Sequence, residues 1–178
     1  MVASGTGSDA LRMAGDPEGA SRLAARGTAR IAERWGEWSL GGIWLAALGI
    51  AAEADLAAAS RLRRDDAGAD EHAAKAARWE RVAQETAVRG RPRGGALGPE
   101  GRAWLLRCTA EAQRAAGATD VPLWESVVDA FDYGYPYEVA KPEELFRLYH
   151  SKGFQLMEMT TTTGLGCNEL VFRRTAAG

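Results

Sequence analysis

The residues best suited to chemistry in this 178-residue chain are two histidines, two cysteines and two close pairs of acids. His72 and His150 both stand among charged neighbours on helical segments. A metal at His72 needs Asp70, Glu71 or a second helix to complete its shell, so a solvated helix face is the simpler reading. Asp65-Asp66 and Asp129 with Asp132 have the proximity of general acid and base partners. Neither pair has the apolar setting that would drive its pKa values apart, and they read as surface acids and a helix end. Cys167 follows a glycine turn without a histidine or basic residue beside it to stabilise a thiolate, so it reads as a small turn residue. The run Thr160 to Thr163 offers hydroxyls for phosphorylation, but β-branched residues on an edge strand account for it. Gly5-Thr6-Gly7 is as near as the chain comes to a phosphate-cradling turn, and the residues before it do not make a buried strand. These observations assign no catalytic residue, no cofactor site and no metal site.

Six tryptophans are the other conspicuous resource. Aromatic side chains dominate binding energy, and Trp38, Trp44, Trp104 and Trp124, with Tyr135 and Tyr137, are the candidates for contact with a protein or peptide. Trp35 and Trp79 belong with them as residues suited to line a groove, and the competing role for all six tryptophans is to fill the gaps that alanine helices leave.

The elements that must position these groups follow from composition. Apolar residues make up 46% of the chain, and much of that is alanine in company with Leu, Arg and Glu, a mixture that favours helix. A net charge of −2 with acids and bases interspersed leaves no sustained basic surface for nucleic acid. Two cysteines cannot build a disulfide scaffold. No basic start with an apolar run opens the chain, and the longest apolar stretch, Ile43 to Ala52, is well short of the roughly 20 residues a bilayer requires. A cytoplasmic location is expected, with no membrane contact.

Residues 1–16 mix Gly, Ser, Ala and Asp without period and are expected to be disordered. Pro17-Glu18, Pro99-Glu100 and Pro142-Glu143 each mark a helix start, because proline loses no needed bond there and glutamate meets the positive end of the dipole. Asp120 before Pro122 marks a fourth. Helices are expected near 18–34, 40–64, 70–89, 99–116, 121–132 and 142–152. In the second, Leu40, Ile43, Trp44, Ala47, Leu48, Ala51 and Ala54 form a stripe, with Glu53, Arg61 and Arg63 on the facing surface. The segment from Arg89 to Gly95 is a basic loop. Beyond Gly153 the pattern changes to strands around 154–163 and 170–172, joined at Gly164-Leu165-Gly166. Two strands alone are marginal, so the hairpin should pack on Leu145, Phe146 and Tyr149 or pair its edge with a second copy in a homodimer.

Two resemblances join in the chain. Residues 26–140, with "WGEWSLGGIWLAALGIAAEADLAAASRLRRD", "GPEGRAWLLRCTAEAQRAAG" and "VPLWESVVDAFDYGYPYE", resemble the tetratricopeptide-like helical-repeat sensor region of large ATP-binding LuxR-type transcriptional regulators. In those regulators an ATPase precedes the array and a DNA-binding helix-turn-helix follows it, and neither is legible here. Residues 132–174, "DYGYPYEVAKPEELFRLYHSKGFQLMEMTTTTGLGCNELVFRR", resemble the carboxyl end of class I S-adenosylmethionine-dependent methyltransferases, and the two meet between Tyr133 and Lys141.

The expected fold is therefore mainly α: antiparallel helical hairpins, tetratricopeptide-like by the resemblance, at 17–133, a connector at 134–141, then a small helix and β-hairpin at 142–174 and a short tail. The regulator resemblance implies a non-catalytic protein-interaction module in transcription regulation. The methyltransferase resemblance implies the alternative, an accessory or truncated protein related to enzymes that use S-adenosylmethionine, with no cofactor site of its own.

Overall fold

A computed structural model describes residues 2–90, 97–118, 120–131, 150, 153–160 and 169–174. Its helices are α1 (Val2–Met13), α2 (Pro17–Trp35), α3 (Gly41–Leu62), α4 (Asp66–Arg89), α5 (Pro99–Ala115) and α6 (Val121–Phe131), followed by strands β1 (Phe154–Thr160) and β2 (Glu169–Arg174). The described chain is thus mainly helical. It divides into two units, Met1–Tyr133 and Gly134–Gly178.

In the first unit α3 is central and packs against α1, α2, α4 and α5, while α6 packs on α5. Ile43, Leu45, Ile50 and a series of alanines from Ala46 to Ala57 are buried on it. A helix that is apolar all round must be surrounded, and this one is. The single stripe expected from the sequence is corrected accordingly. Glu53, expected to face solvent, is 4% exposed, and Arg61 reaches across to donate to the Ala115 carbonyl at the end of α5. Arg63 alone of the three remains exposed. By length and composition α3 is sufficient to cross a membrane, which counting unbroken apolar residues did not reveal. Yet 72% of its most apolar window is buried against neighbouring helices.

The helix starts follow their caps. Asp16 accepts from the Gly19 amide at 2.8 Å, Asp65 from Gly68 at 2.9 Å and Asp120 from Leu123 at 3.0 Å, each satisfying an amide of a first turn. Asp65 therefore explains why α4 begins at Asp66, four residues before the expected start. Pro17 and Pro99 open α2 and α5 as their sequence position suggests.

Residues 1–16 overturn the expectation of disorder, since α1 occupies most of them. Propensity does not explain it; packing does. Gly5 lies so close to the Trp44 ring that a side chain there would collide, and the buried Ser8 hydroxyl donates to the Ala20 carbonyl at 2.9 Å. Small residues in α1 let it approach the α2 and α3 backbones, and that contact makes the helix. Gly5-Thr6-Gly7 is accordingly helical and not a turn.

In the second unit His150 is helical, Gly153 turns the chain at φ 76°, and β1 pairs antiparallel with β2 from Phe154↔Arg174 to Thr160↔Glu169. The register slips between Leu156 and Glu158, so Met157 is the additional residue of a bulge. The basic loop at 91–96, the connector with Tyr135 and Tyr137, the rest of the 142–152 helix with Leu145, Phe146 and Tyr149, Asp132, Thr161 to Thr163, the 164–166 turn, Cys167 and the tail lie outside the described residues.

Replacing Ile50, fully buried on α3, with alanine is expected to destabilise the first unit by about 2–5 kcal/mol in urea denaturation. Leu62→Ala, at the 88% exposed end of the same helix, should stay within about 0.5 kcal/mol.

Candidate functional site

Two helices that both pack on α3 but not closely on each other leave a groove between them. α2 and α4 are such a pair. The groove has a volume of about 410 Å³ and is lined from α2 by Ala25, Thr28 and Ala29, and from α4 by Lys75, Arg78, Trp79 and Val82. Its depth comes from small residues. Trp79 sits over Gly49 of α3, where an added Cβ would lie 3.1 Å from the ring, so glycine there lets the indole down onto the α3 backbone. Thr28 turns its hydroxyl back to the Ala24 carbonyl at 3.1 Å, leaving its methyl to the groove wall.

One turn along each of the three helices from these residues, before them on α2 and α4 and after Gly49 on α3, stands a polar trio. Glu53 of α3 accepts the Ser21 hydroxyl of α2 at 2.5 Å through Oε1 and pairs with Nδ1 of His72 of α4 at 2.7 Å through Oε2. The order of the groups decides what they can do. A serine hydrolase places the histidine between acid and hydroxyl; here the carboxylate is in the middle and the imidazole does not touch the serine. The trio ties α2 and α4 to α3 across the groove. His72 Nε2 has no partner among the described residues. Calling His72 a solvated surface group is corrected: its side chain is 21% exposed and held by a buried acid.

On the opposite side of α3, Asp55 accepts from Arg114 of α5 at 2.8 Å and from Arg12 of α1 at 3.3 Å. Arg114 also donates to Glu111 at 2.7 Å and to the Ala51 carbonyl at 3.0 Å. Burial works against the Arg114 charge, but Glu111 and Asp55 hold its pKa above the ordinary value. The network leaves Arg12 Nε buried without a partner.

The aromatic candidates are distributed. Trp44 and Trp104 meet at 6.2 Å, and Trp104 meets the Phe131 edge at 4.9 Å, forming a cluster that joins α3, α5 and α6. Trp38 lies apart beneath the Arg89 guanidinium at 4.6 Å, and Trp124 is half-buried on α6. None of these lines the groove. Trp79 does, one of the six tryptophans weighed for such a role, together with Lys75 and Arg78, which the sequence did not single out. The available signal was Glu53, with Asp55, in an otherwise apolar stretch of helix, which requires polar partners on the helices either side. Asp65 is a cap, Asp66 opens α4, Asp129 is exposed, and no cluster of three metal-ligating side chains occurs among the described residues.

No family model, curated protein or solved structure matches the chain.

Cys108 shows how the core suppresses reactivity. Fully buried on α5, with its thiol directed to the Ile43 carbonyl at 3.7 Å, it has a pKa pushed up by burial to about 12. In a Cys167→Ser background it should resist thiol reagents at pH 8 until the protein unfolds. Since the unfolded thiol ionises near 8.5, the Cys108 contribution to stability is complete below that pH and is lost as pH rises toward 12. Cys108→Ala should lessen that alkaline loss in denaturant titrations.

Proposed function

We propose that the helical unit is a non-catalytic protein-interaction module, a tetratricopeptide-like array that receives a partner segment in the groove between α2 and α4. The observation that carries this reading is the groove itself: an open apolar trough with Trp79 on its floor, small alanines on one wall and a half-exposed Val82 on the other. Apolar ground rimmed by polar side chains is where one helix lies down on others. The resemblance to LuxR-type regulators supports a regulatory setting in the cytoplasm, in which the partner is a protein and not nucleic acid.

The hairpin of β1 and β2 favours a second reading, because those strands coincide with the segments that resemble a methyltransferase ending. Under it the chain is an accessory to an enzyme that uses S-adenosylmethionine, and the open edges of a two-stranded sheet would pair with another chain, a second copy included.

Calorimetric titration of the full chain with S-adenosylmethionine separates the two. The module reading expects no heat of binding, and micromolar affinity would remove it. For the module itself, an amphipathic helical peptide with a leucine stripe flanked by glutamines should shift the NMR signals of Ala25, Ala29, Val82 and the Trp79 indole. Ala29→Trp, which fills the trough, should weaken that binding at least tenfold. An absence of shifts, or shifts confined to other surfaces, contradicts the reading.

A further inference from the structure

Arg22, Arg26, Arg30 and Arg34 occupy every fourth position along α2, and all four are exposed. Four residues rise about 6 Å, and positions so spaced form one of the inclined ridges of a helix surface. Among the described residues none of the four joins an ion pair. Like charges four residues apart destabilise a helix; Arg22 has Glu18 four residues before it and Arg30 has Glu33 three after it, while Arg26 has arginines at both fourth positions. Within α2 the opposing charges are Glu18 in the first turn and Glu33 near the end. The row therefore works against the helix that carries it, in a chain whose net charge is −2.

Its position relates it to the groove. Arg22 and Arg26 lie three residues before the groove residues Ala25 and Ala29 and by that spacing flank them on the solvent side of α2, while Arg30 and Arg34 carry the ridge on to the cleft on the other side of the helix. Across from them α4 contributes Lys75 and Arg78. Lys75 is matched by Glu71 at 2.7 Å in an exposed pair, whereas Arg78 has no ion pair among the described residues. An apolar floor is thus bordered on both sides by unmatched guanidinium groups.

We infer that the occupant of the groove is an acidic amphipathic helix of a partner protein. Its apolar stripe lies on Trp79, Ala25, Ala29 and Val82, and its flanking carboxylates meet Arg22 and Arg26 on one side and Arg78 on the other. A helix fits better than an extended segment because its own acids, repeated every fourth residue, match the 6 Å spacing of the arginines. Alanines at 25 and 29 allow its backbone to approach closely. The planar fork of arginine favours carboxylates held in that regular array. A nucleic acid would find the cations but not the apolar floor. The inference rests on the docking reading of the groove and adds the charge of the ligand to it.

The test uses the full chain and two designed 18-residue helical peptides with the same leucine stripe, one flanked by glutamates and the other by lysines. Fluorescence anisotropy should give the acidic peptide at least tenfold tighter binding, weakening as salt rises from 50 to 300 mM. Arg22→Glu with Arg26→Glu, both exposed and checked for folding by circular dichroism, should reverse the preference. Equal binding of the two peptides, or an unchanged preference in the double variant, overturns the charge assignment and leaves the groove standing. Displacement of the acidic peptide by oligothymidylate of equal charge also overturns it, in favour of a polyanion site. Failure of both peptides, together with the glutamine-flanked one, removes the docking reading and this inference with it.

Discussion

Glu53 and Asp55 are two residues apart on α3 and so project to nearly opposite sides of it. Glu53 reaches α2 and α4 through Ser21 and His72, and Asp55 reaches α1 and α5 through Arg12 and Arg114. Beside Ile43, Leu45, Leu48, Ile50 and Leu56, much of the rest of α3 is alanine and glycine, side chains too small to interlock. Such faces pack closely in many axial alignments, whereas two carboxylates with defined partners on four helices permit one. Breaking the Glu53 set would leave a charge in the interior, at far greater loss than a poor van der Waals contact, and breaking the Asp55 set would unpair a half-buried one. The register of the unit depends on these two groups.

Small residues on α3 have a further consequence. They bring α2 and α4 down onto one helix while leaving the two apart, and the gap becomes the groove above Gly49. The same polar trio that aligns the helices fixes the width of that gap at one end. The α1/α2 side follows the same logic, where Gly27 lies against Leu45 and Ser4 and opens into a cleft of about 550 Å³ beside Arg30, Arg34 and Trp35. Close packing through alanine and glycine therefore produces both the core and the recesses of its surface.

The sequence displayed those parts of the fold that local chemistry decides. Pro17 and Pro99 open helices, Asp120 caps one, and the change of period after Gly153 coincides with β1 and β2. What it hid depends on tertiary contact. Residues 2–13 have poor helix propensity and are helical because Gly5 meets Trp44 and Ser8 meets Ala20. Glu53 has the residue type of a surface group, and only the helices on either side show it to be interior. For the candidate groove, each wall residue is ordinary alone: Ala25 and Ala29 are two alanines among many, and Trp79, like Trp44, owes its place to a glycine on a neighbouring helix. A groove belongs to the relation between α2 and α4, which no single segment encodes.

If two carboxylates set the register of an alanine-rich core, exchanging them for apolar groups of similar size should preserve the helices and lose their unique arrangement. The decisive measurement is the near-ultraviolet circular dichroism and NMR dispersion of a Glu53→Met, Asp55→Leu variant beside its far-ultraviolet spectrum. The account predicts native helix content with collapsed near-ultraviolet signal and broadened side-chain resonances, the signature of a compact state without fixed packing. A variant that keeps a sharp, well-dispersed spectrum with native aromatic signals would show that alanine packing alone determines the register.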